Sequence, residues 1–455
     1  MPSPLVNPVT GEPGPTPRCQ SEAEVEQLLA TAAAAARDWG AASFPDRARI
    51  LRSAARLLIR DRAALAQAIT LEMGKPIAEA EAEIDKSAWN CEFLATHAEQ
   101  WLADEPVATG AKLSYVAYRP LGVVLAILPW NFPVWQIFRG ATSALMAGNA
   151  VVLKHAPNVP ECARRITQLL LEAGLPRGVF QNLEVPVPRV AEVIADGRVS
   201  VVTFTGSPGA GAAVAAQAGA VCKKSILELG GSDAFVVLED ADVEAAVAAA
   251  VRARFSNCGQ VCLAAKRFIV TEPVWSAFQE LFAQAIASLR VGDPLDRSVQ
   301  LGPLAREDLR TTLHRQVQDS IHRGARLIAG GHSLYDRGCY YAPTLLTDTD
   351  SSMPVVSQET FGPVAPLLRA RSGEQALQMA NDSRYGLAAI VWSRDTDRAR
   401  ALAAKLEVGS VFINAVTVSD PRLPVGGVKL SGYGRELGAA GIRELVNVQS
   451  VWVGP

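Results

Sequence analysis

VVLAILPWNFP, residues 123–133, is a run of six apolar residues stopped by a proline-bounded turn. A run this short and this uniformly apolar reads as a strand buried on both faces. Similar runs follow at 151–154 (VVLK), 201–207 (VVTFTGS) and 234–238 (AFVVL). Between them, apolar positions recur at helical spacing near 134–148, 160–173, 188–196 and 209–219. Strands that alternate with helices predict a parallel sheet covered on both faces, an α/β, Rossmann-type architecture. Ligands of such sheets bind beyond the carboxyl ends of the strands.

Working outward, helical spacing marks 22–38, 46–71 and 77–101, with Gly74-Lys75-Pro76 breaking the second from the third. Downstream, helices are expected at 241–255, 273–289, 306–323, 373–381 and 395–406, and strands at 267–271, 364–369, 387–392 and 409–414. This alternation predicts a second α/β domain beginning near 230. The segments 112–119 and 446–453 read as strands without a neighbour of their own, each a candidate to pair with another element or another subunit. The expected division is 1–101 with 121–229, then 230–430, with 102–120 and 440–455 forming a small β arm.

A chain of 455 residues exceeds one ordinary core, so two or three domains are expected. The formal net charge of -2 implies neither a nucleic-acid face nor an acidic tail. No run approaches the ~18 apolar residues that span a bilayer. The first twenty residues lack both a basic start and an apolar segment, so no signal peptide and a cytoplasmic address are expected. Seven scattered cysteines argue against a disulfide framework. The five histidines do not cluster with cysteines or carboxylates at ligand spacing, and no metal is expected.

Four places can carry chemistry. Gly206-Ser-Pro-Gly209-Ala-Gly211 opens a helix after a strand, which suits a pyrophosphate or equally a tight turn without a ligand. Cys262, in NCGQVC at 257–262, falls in a loop and reads as a nucleophile or as one more buried cysteine. Glu228, before Leu229 and two glycines, reads as a base facing a cleft or as a solvated surface carboxylate. Asn131, between prolines at a strand's end, reads as an oxyanion donor or a turn-forming residue.

Taken together and in order, these segments resemble the aldehyde dehydrogenase superfamily along almost the whole chain. The matching motifs are PWNFP (129–133), Lys154 of VVLK, FTGS with Gly211, ELGG (228–231), NxGQxC (257–262), ETFGP (359–363), NDSRYGLAA (381–389), GSVFIN (409–414) and PVGGVKLSGYGRELG (424–438). The resemblance implies that Cys262 attacks an aldehyde, and that the Asn131 amide and the Cys262 N–H hold the oxyanion. A thioester then forms on Cys262, and Glu228 activates the water that hydrolyses it. Glu228 is commonly lacking in coenzyme A-dependent acylating relatives, so its presence implies release of the free acid. Lys154 and Glu359 are implied to contact the cofactor riboses, Ser207 the pyrophosphate and Phe361 the nicotinamide end. Trp130, Gly206, Gly211 and Leu229 complete the implied cofactor site. Homodimers or homotetramers, joined partly through strands like 112–119 and 446–453, are implied as well.

The closer resemblance is to bacterial succinate-semialdehyde dehydrogenases. Arg139 stands where that branch binds a distal carboxylate, with Trp135 as a tunnel wall and Ser419 as an added hydroxyl. The alternative for Arg139 is a helix-surface or interdomain salt bridge. The cofactor is expected to be NAD or NADP. Pro157 replaces both the carboxylate of NAD-selective members and the serine of some NADP-selective ones, and the reading leans to NAD. Ala264 removes the redox partner that some relatives carry two residues after the nucleophile, and Ser232 follows the succinate-semialdehyde group. Two other readings stand beside this one: a dehydrogenase of another small aldehyde, and a catalytically silent binding protein on the same scaffold.

Overall fold

The opening run forms the strand Val123–Leu128 at the centre of a six-stranded sheet. Val199–Thr205 and Ala150–His155 flank it in parallel. Phe180–Asn182 and Lys224–Glu228 extend the parallel set, and Gly432–Tyr433 closes one edge antiparallel. The chain order reverses between Val123–Leu128 and Val199–Thr205. A crevice therefore opens beyond the carboxyl ends of these two strands, because their helical connections leave toward opposite faces. The computed structural model describes residues 4–454.

Both faces of the central strand are covered, as its composition requires. Val124, Ala126 and Leu128 enter the core shared with helices Phe44–Arg60, Ile77–Trp101 and Trp135–Met146. Val123 and Leu125 point the opposite way, toward helix Glu22–Ala41. This alternation is the two-residue period of a strand.

A second, seven-stranded sheet runs in the order Arg326–Ala329, Thr344–Thr347, Val364–Ala370, Ala265–Thr271, Asp233–Val237, Ala388–Trp392, Ser410–Ile413. Only the edge strand Arg326–Ala329 is antiparallel to its neighbour. Phe235, Phe268, Phe278 and Phe282 pack together beneath it, with ring centroids 5.0 to 6.4 Å apart.

The two strands that lacked a neighbour find each other. Val446–Val453 pairs antiparallel with Leu113–Pro120 along its full length, and Glu105–Pro106 lies on the far side. Leu113, Val448, Trp452 and Val453 of this ribbon are exposed.

The expected helix at 46–71 is two helices, Phe44–Arg60 and Arg62–Met73. Asp61 between them takes φ -95° and ψ 9°, and its carboxylate is held by the Arg60 guanidinium. Lys224–Glu228 is a strand that the sequence reading left out. Glu228 therefore sits at a strand's end, where a bend was expected. Among the described residues, no helix is long and apolar enough to cross a membrane.

Candidate active site

Cys262 lies between helix Val243–Phe255 and strand Ala265–Thr271, on a loop whose backbone is held from inside. Arg254, wholly buried, donates from Nη1 to the Ala265 carbonyl (3.0 Å) and from Nη2 to those of Gly259 (2.8 Å), Thr360 (3.2 Å) and Gly362 (2.5 Å). Lys266 donates to the Cys262 carbonyl at 2.6 Å. Asn257 and Cys258 adopt left-handed φ of 51° and 54°, a strained conformation for residues with a side chain. The Asn257 N–H donates to Glu79 Oε2 at 2.6 Å, which secures the first of them. At Gly259, also left-handed, a Cβ would stand 2.4 Å from the Gly362 carbonyl.

The Cys262 thiol is half-buried. Burial and the Glu228 carboxylate push its pKa well above the ordinary thiol value, while Arg139 and Lys266 oppose them. Glu228 is buried, so the reading of a solvated surface carboxylate is excluded. Its Oε1 is buried with no hydrogen-bond partner among the described residues, an acceptor open to a donor that enters the site.

Arg139 departs from its expected place. Its Nη2 donates to Glu228 Oε2 (3.1 Å) and Thr205 Oγ1 (3.2 Å), and its Nε lies 2.5 Å from Glu436 Oε2. The guanidinium was expected to await a substrate carboxylate; here two protein carboxylates already flank it. Neither Nη1 nor Nε donates a hydrogen bond among the described residues. Burial pushes the Glu436 carboxyl up and Arg139 draws it down.

Asn131 follows the central strand. Its Nδ2 donates to the Gln260 carbonyl at 3.0 Å, and its own carbonyl accepts from Asn257 Nδ2 at 2.8 Å, which ties it to the thiol loop. The second Nδ2 hydrogen and the Cys262 N–H are free of such bonds among the described residues. Glu83 sets the next turn: its Oε1 accepts from the N–H groups of Val134 and Trp135, both at 2.8 Å, and its Oε2 pairs with buried Lys75. A carboxylate here satisfies the open donors of helix Trp135–Met146 and complements its dipole.

The residues read as cofactor-binding gather at the crevice. Ser207 caps helix Pro208–Ala220, its Oγ accepting from the Ala210 N–H at 3.4 Å. A Cβ on Gly211 would lie 2.4 Å from Leu229 Cδ2, and one on Gly206 2.6 Å from the Phe204 ring, whereas one on Gly209 would meet nothing within 4 Å. The helix start thus packs closely on the sheet and opens outward. Lys154 Nζ is buried, bonded to the His155 carbonyl at 2.8 Å, and burial lowers its pKa. Glu359 Oε1 accepts from the Gly231 N–H (3.1 Å) and pairs with Lys266 (3.0 Å). The Trp130 and Phe361 rings meet edge to face at 5.8 Å. A helix N-terminus with an ammonium nearby fits an anionic dinucleotide.

Trp135 and the Cys262 region share one small apolar cluster. Beyond them Ser419 is buried, and its Oγ accepts from Lys86 Nζ at 2.8 Å. Glu79, Glu83 and Lys86 were passed over in the sequence. Their spacing of four and three residues was the available signal, since it places them on one face of helix Ile77–Trp101. Glu436 lay unremarked inside a quoted motif.

The family model described as "Aldehyde dehydrogenase family" matches residues 2–451. The chain is 48% identical over 447 residues to the succinate semialdehyde dehydrogenase [NAD(P)+] Sad of Escherichia coli (strain K12), covering 98% of this chain and 97% of that one. It is 46% identical over 448 residues to the probable succinate-semialdehyde dehydrogenase [NADP(+)] of Synechocystis sp. (strain ATCC 27184 / PCC 6803 / Kazusa), covering 98% and 99%. The crystal structure of succinic semialdehyde dehydrogenase from Streptococcus pyogenes, in complex with NADP+ as the cofactor, superposes with a TM-score of 0.97 at 36% identity, covering 100% of both chains. With thiol, amide, carboxylate and crevice assembled on this fold, the chain belongs to the aldehyde dehydrogenase family.

Proposed function

We propose that this chain oxidises succinate semialdehyde to the free acid with NAD(P), through a thioester on Cys262. The observation that carries the reading is the convergence of Cys262, Glu228 and Asn131 at the switch-point crevice, with the Asn131 amide tied to the thiol loop at 3.0 Å. The names of the relatives support the substrate.

In this reading the thiol loses its proton to solvent water as Sγ bonds to the aldehyde carbon. The oxyanion so formed is held by the Asn131 Nδ2 and the Cys262 N–H. A bound nicotinamide cofactor supplies the oxidising equivalent by accepting hydride. The thioester left on Cys262 is attacked by water that Glu228 deprotonates, and the thiol departs with the carboxylic acid released. Arg139 keeps the Glu228 side chain oriented between these steps. Lys154, Ser207, Gly206, Gly211, Leu229, Glu359, Trp130 and Phe361 would hold the cofactor.

The lean to NAD made from Pro157 finds no support among the relatives, whose names carry NADP(+) or NAD(P)+. Pro157 presents no carboxylate to repel a 2′-phosphate, so we infer use of both cofactors. We assign 1–101 and 121–229, which supply every strand of the six-stranded sheet except Gly432–Tyr433, to the cofactor, and 230–430 to catalysis. The arm at 102–120 and 440–455, whose ribbon of Leu113–Pro120 and Val446–Val453 exposes Leu113, Val448 and Trp452, is assigned to a homodimer or homotetramer.

A second reading, another small aldehyde as substrate, draws on the engagement of Arg139 with two protein carboxylates. Initial rates with succinate semialdehyde, butyraldehyde and benzaldehyde, with NAD and with NADP, separate the two. A tenfold or larger lead in kcat/KM for succinate semialdehyde is expected. Equal rates on all three aldehydes would sink the substrate assignment and leave the dehydrogenase.

A further inference from the structure

Lys86 is a cation without a counter-ion beside the reacting thiol. Its side chain leaves helix Ile77–Trp101 and ends with Nζ 4.3 Å from the centroid of the Trp135 ring and 2.8 Å from Ser419 Oγ. Among the described residues it forms no ion pair within 4.0 Å. The two carboxylates nearest in charge are committed elsewhere. Glu83 holds Lys75 and the start of helix Trp135–Met146. Asp420 accepts from Arg422 Nε at 2.8 Å. Arg139 stands close enough to repel Lys86.

Folding thus brings two cations together at the edge of the site. One is neutralised by Glu228 and Glu436, and the other has only a hydroxyl and an aromatic face. Lys86 is half-buried, so its ammonium is partly desolvated without an anion, and the aromatic face offsets only part of that cost. The arrangement is complete once an anion enters.

We propose that Lys86, with Ser419, receives the distal carboxylate of the aldehyde substrate and is a specificity-determining residue of this enzyme. The inference rests on the succinate semialdehyde reading and moves the principal charge contact from Arg139 to Lys86. Trp135 fixes the ammonium from below, and the substrate's methylene chain runs along the same apolar cluster toward Cys262. Burial first, then Arg139, lowers the Lys86 pKa to about 8, while Glu83 and Asp420 pull it up. The contact is therefore charged at neutral pH and fades in alkali.

The experiment compares kcat/KM for succinate semialdehyde and butyraldehyde, which share a four-carbon chain and differ in the carboxylate, in wild type, Lys86→Met and Lys86→Arg. The Met variant should lower the ratio of the two at least tenfold, mainly through KM for succinate semialdehyde, and Arg should restore part of it. An unchanged ratio in Lys86→Met, with the wild type still preferring succinate semialdehyde, overturns the inference. So does an equal loss on both substrates, which marks a role in folding or chemistry. If the wild type itself shows no preference, the substrate reading fails, and this inference with it. Wild type alone gives a second test that needs no variant. KM for succinate semialdehyde should rise between pH 7 and 9.5 while KM for butyraldehyde stays flat, and parallel profiles overturn the proposal.

Discussion

Glu228 Oε2 accepts a hydrogen bond from Arg139 Nη2 at 3.1 Å, and both side chains are only 2% exposed. The group read as the base for thioester hydrolysis is thereby coupled to the group expected to read the substrate. Removing one member of a buried ion pair leaves the other uncompensated, at a cost of about 3–5 kcal/mol. Arg139→Met should therefore slow turnover of every aldehyde, butyraldehyde included. It should also move the alkaline-rising limb of the kcat–pH profile upward, because Glu228 and Glu436 would then face each other without a cation. A loss confined to succinate semialdehyde would show that Arg139 acts on substrate alone.

Glu228→Gln retains the hydrogen-bonding shape without the base. Rapid mixing with aldehyde and cofactor should give a burst near one equivalent of reduced cofactor per site, followed by turnover at least a hundredfold slower than wild type. Normal steady-state turnover would require another base.

Asn131→Ala removes an oxyanion donor and one tie to the nucleophile loop. A drop of about 10²–10³ in kcat is expected, with reduced-cofactor binding, followed by fluorescence titration, close to wild type. A change confined to KM would contradict the donor role.

Glu83→Ala should destabilise by about 3–5 kcal/mol, since it strands the buried Lys75 ammonium and uncaps helix Trp135–Met146. Denaturant unfolding measures this. A loss below 1 kcal/mol would mean that Lys75 finds another partner.

Burial raises the Glu79 pKa from 4.5 to about 7, with the Asn257 N–H and Lys75 opposing. The folded chain then holds a proton that the unfolded chain releases, so this group's contribution to stability falls as pH rises from 4.5 to 7. Glu79→Gln lacks that component. Its Tm relative to wild type should climb across the same interval, as read by calorimetry, and a constant difference would exclude the coupling.

The parallel sheets were legible because their strands are apolar on both faces, and the reacting groups because each sits in a motif. What the sequence did not yield was who holds whom. Arg139 looked like a free cation until Glu436, roughly 300 residues away, came to lie beside it. Glu79, Glu83 and Lys86 look like an ordinary polar face of a long helix, and only packing against the thiol loop and the Trp135 turn makes them specific. The strand Lys224–Glu228 escaped notice because it opens with two polar residues, and only its last three are buried. The ribbon at 113–120 and 446–453 could not be paired from sequence, since strand pairing over such a separation leaves no local mark.

Gly432 pairs with Glu228 in the sheet, the Leu229 N–H donates to the Ser431 carbonyl (3.1 Å), and Ser431 Oγ donates to the Gly230 carbonyl (2.7 Å). The groups proposed to act on the aldehyde, Asn131, Glu228 and Cys262, are synthesised well before this clamp. A nascent chain halted on the ribosome short of residue 432 would carry the thiol, the amide and the carboxylate, yet lack the strand and the Glu436 charge that fix their geometry. On the function proposed above, catalytic competence would arrive at the close of translation, and incomplete chains would carry the thiol without the assembled site.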